Sequence, residues 1–217
     1  MVNIKLCGLR EPFHIKSAWE LGVKYIGIVF FENSPRYVTI NDARNLLDNA
    51  PNGLVKVGLV VNPDDKLVRS ISSLNLDMLQ LHGSETIERV QEIRKVSELP
   101  IIKALGVRVK EDLIYVKKYA EVADQILIDA KPNSNKKLPG GNGLKFDWNL
   151  LRGNSWDFPW FLAGGLTEAN LLQALRTTNA KQIDLSSGIE DKVGRKDINK
   201  IIKFVQKVKE YEEYYSV

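Results

Sequence analysis

Short runs of Val, Ile and Leu recur along this chain, and nearly every one is followed by a stretch whose apolar residues return at helical spacing. A run of about four to eight apolar residues bounded by polar turns reads as a strand buried on both faces, and a strand followed by an amphipathic segment reads as a βα unit. Eight such units can be marked out, with predicted strands at residues 4–8, 25–30, 54–61, 78–83, 101–106, 125–130, 160–164 and 182–187. Helix starts are signalled by Asn41 with Asp42 before the second helix, Ser84 with Glu85 before the fourth and Thr167 with Glu168 before the seventh, because short polar side chains accept from amides that a helix leaves unpaired. The last helix carries Ile198, Ile201, Ile202, Val205 and Val208 on one face and turns Lys200, Lys203 and Lys207 away, the pattern of a helix packed on a core.

Repeated βα units with no dividing linker predict an α/β fold of the single parallel (β/α)8 type, a TIM barrel forming one catalytic domain over residues 1–217. In that architecture the active site is built from loops at the C-terminal ends of the strands, and two of those loops, residues 31–38 and 131–146, are longer than packing requires. The second contains Gly140-Gly141-Asn142-Gly143. That stretch reads equally well as the hinge of a lid or as a loose connector carrying Lys136 and Lys137.

Composition narrows the chemistry. The 217 residues have room for one good core, and with 44% hydrophobic and 27% charged residues the chain falls among soluble globular proteins, away from disordered or membrane compositions. The strand-like Val2–Cys7 run follows Met1 with no basic or long apolar leader, which predicts a cytoplasmic protein. One cysteine excludes an internal disulfide, and His14 and His82 do not make a metal-ligand cluster with it, so chemistry without metal or organic cofactor is expected. The net charge of +4 is spread among acidic residues rather than gathered in a stripe with aromatics. It therefore predicts no nucleic-acid partner and suits a small anionic ligand.

Several residues at the predicted strand ends could carry chemistry. Cys7 closes the first strand, with Lys5 two positions back on the same face. A free thiol ionises near pH 8.5, and a neighbouring ammonium would enlarge its thiolate fraction; the plainer reading is an inert core cysteine, with Lys5 paired to a barrel carboxylate such as Asp184. Asp129 ends an apolar run with no helix close behind it, which favours a general acid or base over a helix cap. Gly164-Gly165 and Ser187-Gly188 lie after the seventh and eighth strands, where barrels of this kind bind phosphate through bare amides. Arg36, behind Pro35 on the long loop, could grip a planar carboxylate. Gln80 and His82 share a strand face and could line the mouth, although a core amide and a rim histidine fit as well.

The motifs KLCGL at 5–9, SPRYV at 34–38, VGLVVN at 57–62, LQLHG at 79–83, GGNGLKFDW at 140–148, GGL at 164–166 and IDLSSGIE at 183–190 resemble, in order and spacing, the phosphoribosylanthranilate isomerase family of tryptophan biosynthesis. That resemblance implies an Amadori rearrangement of N-(5'-phosphoribosyl)anthranilate without cofactor. It implies Asp129 as general acid, Cys7 as general base, Arg36 on the anthranilate carboxylate, Asp184 on sugar hydroxyls, and the glycines and serines after the last two strands on phosphate. The chain departs from the family pattern at Arg10, Asn142, Leu144 and Ala169, which touch the lid and turnover rate more than reaction type. Rival readings are a histidine-pathway aminoimidazole ribotide isomerase, which is similar in reaction but has an aspartate where Cys7 stands, and a catalytically silent phosphate-binding barrel. A metal-dependent sugar-phosphate epimerase is disfavoured by missing ligands. The expected partner is a small phosphorylated substrate, with no membrane association, and the expected assembly is a monomer or a homodimer. The tail tyrosines Tyr211, Tyr214 and Tyr215 are expected to pack on the barrel base before serving a subunit contact.

Overall fold

A computed structural model describes residues 1–131, 140, 143 and 146–215, apart from the Tyr215 side chain. Eight parallel strands, β1 (Asn3–Cys7), β2 (Tyr25–Val29), β3 (Val55–Val60), β4 (Met78–Leu81), β5 (Ile101–Val107), β6 (Gln125–Ala130), β7 (Trp160–Leu162) and β8 (Gln182–Leu185), hydrogen-bond in sequence order. The barrel closes because β1 also pairs with β8, setting Lys5 opposite Asp184 and Leu6 opposite Leu185. Around it stand α1 (Pro12–Glu20), α2 (Ile40–Asp48), α3 (Asp65–Ser72), α4 (Ile87–Ser97), α5 (Leu113–Ala120), α6 (Leu171–Thr178) and α7 (Ile198–Tyr215). None of the described helices is long and apolar enough to cross a membrane.

Strand positions follow the apolar runs closely, because a strand buried on both faces must be apolar at nearly every residue. Alternate side chains enter the barrel, where Tyr25, Val57, Met78, Ile102, Ala104, Leu127, Phe161 and Ala163 form one packed cluster and the Tyr25 and Phe161 rings meet edge to face at 5.2 Å. The other faces meet the helices in a larger core that includes Ile26, Ile28, Leu79, Leu81 and Ile126. On α7, Ile201, Val205 and Val208 are buried as their spacing predicts, and Phe204 joins them. Tyr211 packs partly buried against the core while Tyr214 is exposed.

Three local expectations are corrected. Among the described residues the sixth unit has only a 3-10 turn, Trp148–Leu151, where a helix was expected. The α2 and α4 caps are Thr39, accepting from the Asp42 amide, and Thr86, accepting from the Arg89 amide, rather than Asn41 and Ser84. The α6 start at Leu171 lies four residues past Thr167, and the Asn170 side chain instead accepts from the Thr167 amide and donates to the Gly165 carbonyl. One feature has no counterpart in the apolar pattern: a short antiparallel hairpin, β9 (Glu190–Lys192) and β10 (Arg195–Lys196), between β8 and α7.

Glu85 turns inward instead of opening α4. It pairs at 2.8 Å with Lys103 on the outward face of β5 and accepts from the Asn62 and Gly83 amides at 2.8 and 3.1 Å. Lys103 also donates to the Gly83 and Ala104 carbonyls at 2.8 and 2.9 Å, so the pair ties the β3, β4 and β5 loops together beneath the surface. Removing one partner of such a buried pair leaves the other uncompensated; Lys103→Met is expected to destabilise the fold by ~3–5 kcal/mol, measured by urea unfolding. A loss below 1 kcal/mol would show the pair to be water-exposed in solution.

Candidate active site at the barrel mouth

At the C-terminal end of the strands the loops enclose a cleft of about 770 Å³, counted to its open rim, within the size range of small-ligand sites. Cys7, Arg36, His82, Asp129 and Asp184 all contribute to its walls. Gly164, Gly165, Ser187 and Gly188 line it from the loops after β7 and β8, and Gly140 and Gly143 close part of its rim. Of the predicted lid, Gly141 and Asn142 lie outside the described residues, as do Lys136, Lys137 and Leu144.

Cys7 sits at the tip of β1, 4% exposed, beside an apolar wall of Val29, Leu59, Phe31 and Val61. Two residues below it, Lys5 is fully buried and donates to Asp184 Oδ1 at 2.8 Å. The expected gain in thiolate is reversed: burial pushes the Cys7 thiol up, and the nearby Lys5 ammonium offsets this only in part. Burial works against the charge on Lys5 too, but Asp184 and Cys7 outweigh it and raise its pKa. Both readings of Lys5 therefore hold at once, as partner of Asp184 and as the charge beside the thiol.

Asp129 is the penultimate residue of β6, with one carboxylate oxygen accepting from the Ala130 amide at 2.7 Å and the other 3.4 Å from His82 Nε2. Gln80 does not line the cleft. It is fully buried on β4 beneath His82, with its Nε2 2.8 Å from His82 Nδ1. As the Gln80 amide is assigned, it donates to Nδ1, which leaves the ring proton on the nitrogen that faces Asp129. Gly140 lies directly over this pair; a Cβ there would overlap His82 Nε2 and come within 2.9 Å of Asp129 Oδ2.

The loops after β7 and β8 approach each other closely. A side chain at Gly188 would overlap the Leu166 carbonyl oxygen, so only glycine lets the Ser187–Ile189 turn seat against the Gly164-Gly165 loop. The result is a wall of backbone with the Ser186 and Ser187 residues beside it, suited to an oxyanion.

Arg36 lies on the loop after β2 but is not a surface residue. It is 4% exposed, and its Nε and Nη2 donate to the two carboxylate oxygens of Glu190 at 2.7 and 2.9 Å. Glu190 also accepts from buried Lys196 at 2.8 Å. Burial pushes Lys196 down to about 8, although Glu190 opposes the shift. Neither Glu190 nor Lys196 was singled out from the sequence. Glu190 ends the IDLSSGIE motif, but nothing local marks its pairing with a residue 154 positions away.

Comparison with known proteins agrees with this geometry. The family model described as N-(5'phosphoribosyl)anthranilate (PRA) isomerase matches residues 4–207. An N-(5'-phosphoribosyl)anthranilate isomerase of Cereibacter sphaeroides is 48% identical over 206 residues, covering 94% of this chain and 97% of that protein. The solved phosphoribosyl anthranilate isomerase of Thermotoga maritima superposes with a TM-score of 0.86 at 31% identity, over 97% of this chain and all of that one. A phosphoribosyl anthranilate isomerase solved with reduced 1-(o-carboxyphenylamino)-1-deoxyribulose 5-phosphate gives a TM-score of 0.81 at 29% identity, over 97% of this chain and 100% of that one. With a family match spanning nearly the whole chain and a closed eight-stranded barrel beneath it, the chain belongs to the N-(5'-phosphoribosyl)anthranilate isomerase family.

Proposed function

We propose that this chain, working as one (β/α)8 catalytic unit over residues 1–217, converts N-(5'-phosphoribosyl)anthranilate to 1-(2-carboxyphenylamino)-1-deoxyribulose 5-phosphate in tryptophan biosynthesis. The observation that carries the reading is that Cys7 and Asp129 share one cleft with the glycine and serine loops after β7 and β8. A group able to accept a proton and a group able to donate one thus stand beside a wall suited to phosphate.

In this reading the phosphate rests on Gly164, Gly165, Ser187 and Gly188, and the anthranilate ring lies along Val29, Phe31, Leu59 and Val61. Asp129 delivers a proton to the ring oxygen as the C1'–O bond breaks, and the nitrogen lone pair forms the protonated Schiff base. The Cys7 thiolate, formed when the thiol's own proton passes to solvent, then takes the C2' proton, and the C–H electrons form the C1'–C2' double bond while the C=N pair returns to nitrogen. The enolamine gains a proton at C1' and loses one from the C2' hydroxyl, which leaves the ketone. Lys5 supplies positive charge next to the sulfur as the thiolate forms, and Asp184 lies at the sugar. His82, opposite Asp129, holds that carboxylate toward the cleft.

Purified protein mixed with freshly made phosphoribosylanthranilate should extinguish the anthranilate-type fluorescence. No turnover would favour a silent barrel, and turnover of an aminoimidazole ribotide alone would favour the histidine-pathway reaction.

Cys7→Ser and Asp129→Asn are each expected to lower kcat by about 10²- to 10⁴-fold with the urea midpoint retained. Near-normal turnover of the Cys7 variant would remove the base assignment. Arg36→Met should act mainly on KM; a loss confined to kcat would instead place Arg36 in the transition state. Because burial raises the thiol, alkylation of Cys7 by iodoacetamide should have a pH midpoint above that of a free cysteine. Lys5→Met should move it further up, since the opposing charge is gone, and an unchanged or lower midpoint in that variant would contradict the electrostatics.

A further inference from the structure

Resting on that reading, we infer that Glu190 and Lys196 are positioning residues that fix the Arg36 guanidinium for the substrate's ring carboxylate. Their carrier is the β9–β10 hairpin, which the barrel itself does not require. Each carboxylate oxygen of Glu190 accepts two hydrogen bonds: Oε1 takes Arg36 Nε at 2.7 Å and Lys196 Nζ at 2.8 Å, and Oε2 takes Arg36 Nη2 at 2.9 Å and the Gly194 amide at 3.1 Å. Lys196 is itself held by the Ser186 carbonyl at 2.9 Å, and Arg10 ties the hairpin tip to the β1 loop through the Gly194 carbonyl at 2.8 Å.

Two parallel hydrogen bonds along one edge of a guanidinium fix both its plane and its direction. The side chain lines the cleft while this edge is turned to Glu190, so the carboxylate acts as a clamp behind the binding group. Burial makes the clamp stiff: Arg36, Glu190 and Lys196 are 4%, 8% and 6% exposed. The three charges sum to one net positive charge at this wall, which a substrate carboxylate would balance. Without Lys196 the sum would be zero, so the lysine keeps the site attractive to an anion while Glu190 orients it. A previously ordered guanidinium loses little rotamer freedom when the ligand arrives, which converts directly into affinity.

The inference is tested by titrating two non-reactive reduced product analogues, one with and one without the ring carboxylate, into wild type, Glu190→Gln and Lys196→Gln. Wild type should prefer the carboxylate form. Glu190→Gln should weaken that form by about tenfold, because the lost orientation of the guanidinium outweighs the added net positive charge, and leave the form without carboxylate within about twofold. Lys196→Gln should act in the same direction even if the Glu190 variant proves too unstable to assay. Equal weakening of both analogues would reduce the hairpin to a structural part, and tighter binding of the carboxylate form in Glu190→Gln would make Glu190 a competitor for Arg36. Either result, or unchanged preference in both variants, overturns the inference. Wild type that binds neither analogue would instead overturn the proposed reaction.

Discussion

The barrel closes at the seam between β1 and β8, and the Lys5–Asp184 ion pair is buried in that seam directly below Cys7. An ammonium is tolerated at zero exposure only because a carboxylate stands at hydrogen-bond distance in the register partner across the seam. A shift of β8 by one residue would turn Asp184 out of the barrel and leave Lys5 uncompensated, so the pair favours a single register. The same pair sets the field at the sulfur. Burial disfavours the thiolate, Lys5 favours it and Asp184 opposes it, and the net result is a thiol whose pKa lies above that of a free cysteine.

Above this seam the mouth divides by polarity. Aliphatic and aromatic side chains from β2, β3 and their loops form one flank, which can face an aromatic ring but cannot satisfy a charged group. The opposite flank is mostly backbone, where Gly188 lets two loops approach to contact. Asp129 and His82 stand between them, with Gln80 supporting the imidazole from below. Three polar side chains that reach the cleft have a partner behind them: Lys5 behind Asp184, Gln80 behind His82, and Glu190 behind Arg36. Such support is what holds a reacting constellation within a fraction of an ångström.

Much of this was legible in the chain itself. The eight apolar runs located all eight barrel strands to within a few residues, because a strand buried on both faces is apolar at nearly every position. The position of Cys7, Asp129 and the glycine loops at strand ends followed from the same count. Helix caps were less legible: Thr39 and Thr86 lie beside equally plausible polar residues, and only the backbone geometry decides which one accepts. A sixth helix was expected where the described residues hold only a 3-10 turn, and the β9–β10 hairpin was missed, because a segment of mixed polarity carries no clear period to read.

What the sequence determined by itself, then, is local: which segments are strands, which face of each is apolar, and which reactive side chains stand at the ends. Tertiary structure decided the partners. Lys5 meets Asp184 across 179 residues, Arg36 meets Glu190 across 154, and His82 meets Asp129 only once β4 and β6 share a barrel. Charges and hydrogen bonds act over a few ångströms in space and carry no memory of separation along the chain. Their pairing, and with it the raised thiol and the clamped guanidinium, exists only after closure.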